Sequence, residues 1–455
     1  MMNLIKNKSK LLPAISFLCF IILAYSCKKL DLEKVHENLK TVKTYEEARI
    51  LLKETYDLFK GVKEIEKDGD SLKNFYPYLL LTTALYSDEA VLNGSNTSWQ
   101  QFENRDIKPD NPVSTNIWFL GYKIIDNASI LIRDVENFEE DSYDQDNIIG
   151  QAKAIWAFTH FLLMNLYGNI TLSTQPLIPG DYPEMADKAA LNEAIIEYLG
   201  YSIDYLSAYN ISDNTIINKN VAKVLLARVY LYNEQYDSAY QKAYDIMQSE
   251  DYSLCSHYRD AFINNENPEI IWKLDYNSSN KNMLGYNCYP ADSGGIFEYA
   301  PNNPQLKAFD ESDTRKVYCV NSIDTTYFIS KYRGQSSGDF DIPMIRYSEV
   351  LLIAAESQLQ LGNSSSALEY YNEIRERAGL QALASPGDLT IDILLQERMC
   401  EFAYEGQRWF DINRCDKAVE IISQYNSGFG ENNELWPIPQ KAINENPNLY
   451  QNPGY

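Results

Sequence analysis

The stretch VAKVLLARVYLYNEQYDSAYQKAYDIMQ, Val221 to Gln248, decides how the rest of the chain reads. Within it Ala227, Tyr230, Tyr236, Ala239 and Ala243 recur at offsets of 3, 6, 3 and 4 residues, the spacing of a tetratricopeptide-like helical pair. Small alanines at such offsets let two helices approach closely, while tyrosines fill the holes between neighbouring pairs. A second copy follows downstream. In Ser348 to Ala378, Ala355, Ala367 and Tyr371 fall at the same offsets of 12 and 4, with Gly362-Asn363 at the turn. The expected fold is therefore all-α: a tetratricopeptide-like helical-repeat scaffold with large irregular loops and a few short strands.

Outward from these pairs the helical period continues. Tyr45 to Lys60 places Ala48, Leu51, Leu52, Tyr56 and Phe59 on one face. Ile117 to Val135 reads the same way. Ile148 to Tyr167 is apolar almost all round (Ile155, Trp156, Phe158, Phe161, Leu162, Leu166), which predicts a central helix, and Gly168 stands where a C-cap belongs. Residues 87–116 and 251–345 break the pattern. They are rich in Asn, Asp, Ser, Gly, Pro and aromatic residues, with strand-like runs only at Glu269 to Leu274 and Thr325 to Tyr332. Long irregular segments on a regular frame are where function concentrates.

The N-terminus differs from everything after it. Lys6, Lys8 and Lys10 precede an apolar run, Leu11 to Ala24, that ends in Tyr25-Ser26-Cys27, the plan of a secretory signal over residues 1–26. Two readings of Cys27 follow: an acylated first residue of a lipoprotein, or a coincidental cysteine after an ordinary signal. Hydrophilic sequence begins directly after Cys27, which favours acylation and a tether to the membrane. The mature body, residues 27–455, is expected to be one domain with loop insertions near 87–116 and 251–345.

Charge excludes several function classes. The chain carries 40 Lys+Arg against 64 Asp+Glu, a formal charge of −24. Residues 1–26 remove three lysines and no acids, so the body opposes 37 basic residues to 64 acidic ones. Such a surface repels phosphate backbones and anionic lipid. Three histidines, His36, His160 and His257, are too few for a multi-histidine metal centre. No P-loop, G-x-G-x-x-G or H-E-x-x-H occurs, no EF-hand spacing surrounds Asp292-Ser293-Gly294-Gly295, and neither cofactor nor metal is expected. After Cys19 and Cys27, five cysteines remain without a C-x-x-C pair, which argues against a disulfide framework.

Two constellations resemble catalytic sites. Gly334-Gln335-Ser336-Ser337-Gly338 fits G-x-S-x-G, yet Asp339 to Pro343 follows where a helix is needed and every His lies earlier. Glu397, Glu401 and Glu405 fall at i, i+4 and i+8 on the expected helix Gln396 to Tyr404, and a glycosidase needs two such carboxylates. Arg398, Arg408 and Arg414 stand near them among Met399, Phe402, Trp409 and Phe410, so a partly buried ion-pair network is the favoured reading. Recognition is the remaining chemistry. Trp99, Phe102, Tyr286, Tyr289, Phe297 and Tyr299 are interleaved with Asn93, Asn96, Asn287 and Asp292. Rings beside amides suit a sugar or a peptide, and the ligand-binding candidates are Trp99, Asn96, Phe102, Tyr286, Tyr289 and Tyr299.

Several long motifs in order carry a resemblance. They are AKAIWAFTHFLLMNLYGNI (152–170), the 221–248 pair, IRYSEVLLIAAE with ALEYYNEIRERAGL (345–380), ERMCEFAYEGQRWFDINR (397–414) and LWPIPQKAINENPNLYQNPGY (435–455). The chain resembles the SusD/RagB family of outer-membrane nutrient-binding lipoproteins of Bacteroidetes. The resemblance implies an outward-facing protein, lipid-anchored at the outer membrane, that captures a glycan or peptide for a SusC-like TonB-dependent transporter. It implies no enzymatic activity and makes Glu397, Arg398, Glu401, Glu405, Arg408 and Asp411 a structural signature. The family's ligand residues sit in its least similar loops and are not carried over. A glycosidase on the glutamate face, or a scaffold that only grips another protein, are the competing readings.

Overall fold

The computed structural model describes residues 40–61, 65–67, 70–138, 143–178, 180–207, 213–263, 267–333 and 337–455. The signal segment, Cys27 and the Gly334, Gln335 and Ser336 of the G-x-S-x-G motif lie outside them. Two compact units are present, Met1–Thr41 with Leu177–Asp181, and Val42–Pro176 with Tyr182–Tyr455. In the first, the Asp181 N–H donates to the Ile178 carbonyl at 2.9 Å. Every described helix and strand belongs to the second.

The second unit opens with α1 (Tyr45–Lys60), the hairpin β1 (Ile65–Lys67) and β2 (Asp70–Leu72), α2 (Phe75–Tyr86) and β3 (Ala90–Leu92). Then come α3 (Thr97–Glu103), α4 (Pro112–Val135), α5 (Tyr143–Tyr167), β4 (Ile170–Thr171), β5 (Met185–Ala186), α6 (Lys188–Tyr205), α7 (Lys219–Tyr232) and α8 (Tyr236–Met247). The loop-rich middle holds the short helices α9 (Asp260–Ile263), α10 (Leu284–Cys288), α11 (Asn303–Ala308) and α12 (Lys316–Cys319). Its strands are β6 (Ile270–Leu274), β7 (Tyr299–Pro301), β8 (Val320–Ile323), β9 (Thr326–Ile329) and β10 (Ile342–Arg346). The chain closes with α13 (Tyr347–Gln360), α14 (Ser364–Arg377), α15 (Ile391–Glu401), α16 (Arg408–Arg414), α17 (Ala418–Ile422) and α18 (Gln440–Glu445).

Local chemistry sets these boundaries. Thr44 caps α1 by accepting the Glu47 N–H, and Gly61 ends it in the left-handed region at φ 74°. A side chain at Gly61 would also meet the Asn74 backbone at 2.3 Å. Gly168, as expected, ends α5 at φ 76° with its N–H on the Met164 carbonyl. That helix is buried on nearly all sides. α2 has no polar face to reveal it in the sequence, because it is buried almost throughout.

The long helices stack in series, α4 on α5, α5 on α6, α6 on α7, α7 on α8, α8 on α13 and α13 on α14. Ala227, Ala239, Ala243, Ala355, Ala367 and Tyr371, the residues of the repeated spacing on these helices, are all buried. Among the described residues, five antiparallel two-stranded ladders decorate this helical frame. Two of them position the regions discussed below. β10 pairs with β6, setting Arg346 opposite Ile270 across a bulge. β3 pairs with β7, setting Leu92 opposite Tyr299, 207 positions further along the chain, and joining the two loop regions. Those regions are less irregular than expected, since they hold α3, the start of α4 and α9 to α12. Among the described residues Cys255, Cys288, Cys319, Cys400 and Cys415 are unpaired.

Candidate ligand-binding site

The glutamates that raised the question of catalysis are sealed inside the protein. Glu397, Glu401 and Glu405 are buried, Glu401 with no exposure at all. The expected shared helix face is incorrect for Glu405. α15 stops at Glu401, and Tyr404 (φ 63°) and Gly406 (φ 74°) turn the chain, so Glu405 returns to its neighbours from a loop.

Their partners also differ from those expected. Arg346, at the end of β10, donates to Glu401 Oε1 at 2.8 Å, Glu405 Oε1 at 2.7 Å and Glu269 Oε1 at 2.6 Å. Arg315 pairs with Asp313 at 2.8 Å, Glu397 at 2.6 Å and Glu401 at 3.1 Å. Arg377 joins Glu269 to Glu401, and Lys331 reaches Glu405 at 2.6 Å. Arg398 and Arg414 pair instead with Asp411, and Arg408 crosses to Asp88 on the far side of α2. Burial alone would raise the Glu401 carboxyl, but Arg377, Arg346 and Arg315 outweigh it and hold the group well below the usual carboxylate range. A carboxylate surrounded in this way is fully ionised, fully bonded and closed to a substrate. Arg315, Arg346, Arg377 and Lys331 were not singled out from the sequence, because their proximity to the glutamates comes from ladder β6–β10 and the loops.

The loop aromatics divide into three groups. Phe102 (0 % exposed) and Tyr299 (1 %) belong to the core. As ligand contacts they are corrected by this burial: Tyr299 packs edge-on against Trp99 with centroids 5.5 Å apart, and Phe102 against Trp436 at 5.0 Å. Tyr286 and Tyr289 form a separate, half-buried wall. The Tyr289 hydroxyl donates to the Ser330 carbonyl at 2.9 Å and its ring lies 5.1 Å from Phe328. The loop around them is closed on itself, Ile296 N–H on Tyr286 O and Phe297 N–H on Tyr289 O. Gly295 is required there, since a Cβ would stand 2.1 Å from the Tyr289 carbonyl oxygen.

Trp99, also a core residue but with 7 % of its surface left open, and the exposed Asn96 form the third group and line a cavity of about 710 Å³, within the range of small-molecule sites. Its walls come from four places: Lys73 before α2 and Tyr78 within it, Asn96 to Trp99 at the start of α3, Asn116 and Thr115 on α4, and Gln440 and Asn444 on α18. Each wall is anchored. Tyr78 meets Trp99 edge to face at 5.2 Å, and Asn96 caps α3 through the Ser98 N–H. Asn116 exchanges two hydrogen bonds with the Lys73 backbone. Asn111 caps α4 and donates to the Ser98 carbonyl, while the Gln440 N–H donates to the Pro109 carbonyl and draws α18 across. The result is an aromatic corner facing side-chain amides, chemistry that matches a ligand with apolar ring faces and many hydroxyls. Tyr78, Gln440 and Asn444 were missed in the sequence; only the fold brings residues 78, 99 and 444 together.

Two family models match the chain. One, described as "SusD family", covers residues 299–455, the part holding most of the ion-pair network. The other, described as "Starch-binding associating with outer membrane", covers residues 64–231, the part holding Trp99 and Tyr78. The chain belongs to the SusD/RagB family. SusD-like protein P38 of Formosa agariphila is 25% identical over 425 residues, aligning 78% of this chain with 83% of its own. A SusD superfamily protein of Bacteroides vulgatus superposes with a TM-score of 0.80 at 18% identity, over 91% of this chain and 100% of its own. A structure described as a laminarin-binding SusD-like protein does so at 0.77 and 22%, with 91% and 100% covered. SusD-like proteins are thus an outer-membrane-associated group, and the all-α frame seen here is theirs.

Proposed function

We propose that this SusD/RagB protein is a cell-surface lipoprotein that captures an oligo- or polysaccharide in the Trp99 cavity and delivers it to a SusC-like TonB-dependent outer-membrane transporter. It acts by recognition and not by catalysis. The observation that carries the reading is the cavity itself, where Trp99 and Tyr78 meet at a corner opposite Gln440 and Asn444. The likeness to a laminarin-binding SusD-like protein supports a glycan over a peptide. Acylation at Cys27 would hold the acidic body at the membrane by lipid, since charge cannot do so.

Calorimetric titration with laminarin and with starch tests the site. Trp99→Ala is expected to abolish binding. The double variant Gln440→Ala/Asn444→Ala, which touches exposed side chains only, is expected to weaken it at least tenfold with the fold intact. Unchanged affinity in both variants removes the cavity from function. Peptide binding lost in the same variants would replace the glycan as ligand. Labelled fatty acid should enter the wild type and not Cys27→Ala, and equal labelling would refute the anchor.

A further inference from the structure

A second pocket, of about 280 Å³, opens beside the ion-pair core and shares no residue with the Trp99 cavity. It is lined by His257, Tyr258, Arg259, Thr314, Val317, Tyr318 and Arg333. In a chain with 64 acids against 40 bases, a pocket with two arginines, a histidine and no carboxylate in its lining stands out. Among the described residues no carboxylate pairs with Arg333. Arg259 pairs, among the described residues, only with its half-buried neighbour Asp260, at 3.8 Å, a long contact of little strength. The cations are therefore open to a ligand.

The floor is aromatic and preorganised. Tyr258 and Tyr318 are 2 % and 3 % exposed, with centroids 5.8 Å apart and edge to face, and Phe262 stacks on Tyr318 at 5.2 Å. Tyr258 is bolted to the ion-pair core, its hydroxyl donating to the Glu401 carbonyl at 3.0 Å and accepting from Lys331 at 2.7 Å. Tyr318 differs. Among the described residues its buried hydroxyl has no well-formed hydrogen bond, and the one donor that approaches it is Arg333 at the pocket's edge, so a polar ligand group can complete its bonding. The Arg333 guanidinium lies over the same ring, 4.5 Å from its centroid.

We propose that this pocket binds an anionic sugar, the charge being a carboxylate or a sulfate ester. Arg333 and Arg259 would take the anion, by the planar pairing that guanidinium offers to such groups. The buried Tyr258–Tyr318 floor would keep water from the bound anion, and the Tyr318 hydroxyl would complete its hydrogen bonding on a sugar hydroxyl. The site is separate from the Trp99 cavity, so it stands or falls whether or not that cavity binds a neutral glycan.

Ligand-observed NMR and calorimetry on the full chain, with glucuronic acid, galactose 6-sulfate, glucose and inorganic sulfate as probes, test this. Saturable binding of either charged sugar, weakening as salt rises and reduced tenfold or more by Arg333→Gln, supports the proposal, and the better of the two names the anion. Arg333 is exposed, so that variant keeps the fold. Tyr318→Phe keeps the ring and removes only the hydroxyl, and it should cost roughly fivefold in affinity. Silence of both charged sugars, no change in Arg333→Gln, or glucose binding that Arg333→Gln weakens equally overturns the assignment. Inorganic sulfate binding as tightly as the sulfated sugar overturns its saccharide part. Any glucose binding lost in Trp99→Ala belongs to the first cavity, whereas the Arg333-dependent binding of the charged sugars should persist in that variant, which separates the two sites.

Discussion

At Glu401 three arginines converge on a carboxylate with no exposure, while at Trp99 an aromatic corner faces amides across an open space of about 710 Å³. Both regions are assembled from distant parts of the chain, but their demands are opposite. The ion-pair core needs every partner, because a buried charge left alone costs more than its pairing gains. The cavity needs its walls held and its lining free. One region can therefore be read as fold and the other as recognition, and perturbing each should move a different observable.

The largest effect is expected at Arg346, whose guanidinium serves Glu269, Glu401 and Glu405 together. Arg346→Met takes a shared cation from three buried carboxylates, leaving Glu401 to Arg315 and Arg377, Glu269 to Arg377 and Glu405 to Lys331, and should destabilise by about 3–5 kcal/mol in urea unfolding. A loss under 1 kcal/mol would show that the core is not what holds this region, and the contrast with the cavity would fail.

The same contrast explains what could be read in the sequence. The helical pairs were legible because Ala227, Ala239, Ala355 and Ala367 repeat at fixed offsets, and that periodicity is local. The signature Glu397 to Arg414 was legible as an ionic cluster, since seven of its charges fall within eighteen residues. Its wiring was not. Glu401 and Arg346 are 55 residues apart and meet only through ladder β6–β10. The cavity was half legible: Trp99 and Asn96 stood out as ring and amide in a loop, but so did Phe102 and Tyr299, which lie in the same core as Trp99 and do not border the cavity. Composition cannot separate a loop aromatic that packs from one that faces a ligand, because both satisfy the same local pattern.

Acidity should divide the ionic region further. Glu401 and Asp411 are held below their ordinary range, in each case by arginines that overcome the effect of burial. Groups of this kind stabilise the fold above the unfolded carboxyl pKa of about 4, and that stability is lost as pH falls through their folded values. Unfolding monitored from pH 6 downward should show a steep loss below about pH 4. A flat profile to pH 2.5 would contradict the ionised core.

Glu89 has the opposite sign. Burial, opposed by the Tyr404 N–H and aided by Asp88, pushes its carboxyl up to about 8, and Glu89 Oε2 has no partner. Its contribution is present at low pH and is lost as pH rises from about 4.5 to about 8, where the folded state must either hold a proton or bury a charge. Glu89→Gln keeps the Oε1 acceptor for Tyr404. It should stabilise the protein on the order of 1–2 kcal/mol at pH 8 and change little at pH 5. An equal effect at both values would show that the carboxyl does not titrate between them.

The smallest effect on stability is expected where the effect on function is greatest. Gln440 and Asn444 are exposed on α18 and bond to each other at 3.0 Å, so replacing both by alanine removes one surface hydrogen bond and leaves the Gln440 N–H on Pro109 in place. Alanine is also a better helix former than either residue, by a few tenths of a kcal/mol. The double variant should unfold within about 0.5 kcal/mol of wild type. If the cavity holds a glycan, those two amides are its polar wall, and losing two ligand hydrogen bonds at about 1 kcal/mol each predicts a loss in affinity of at least tenfold. A variant equal to wild type in both stability and laminarin or starch binding would leave the Trp99 corner as packing only. A variant that unfolds easily would show that α18 is a strut like the ion-pair core, and the two regions would differ less than their chemistry implies.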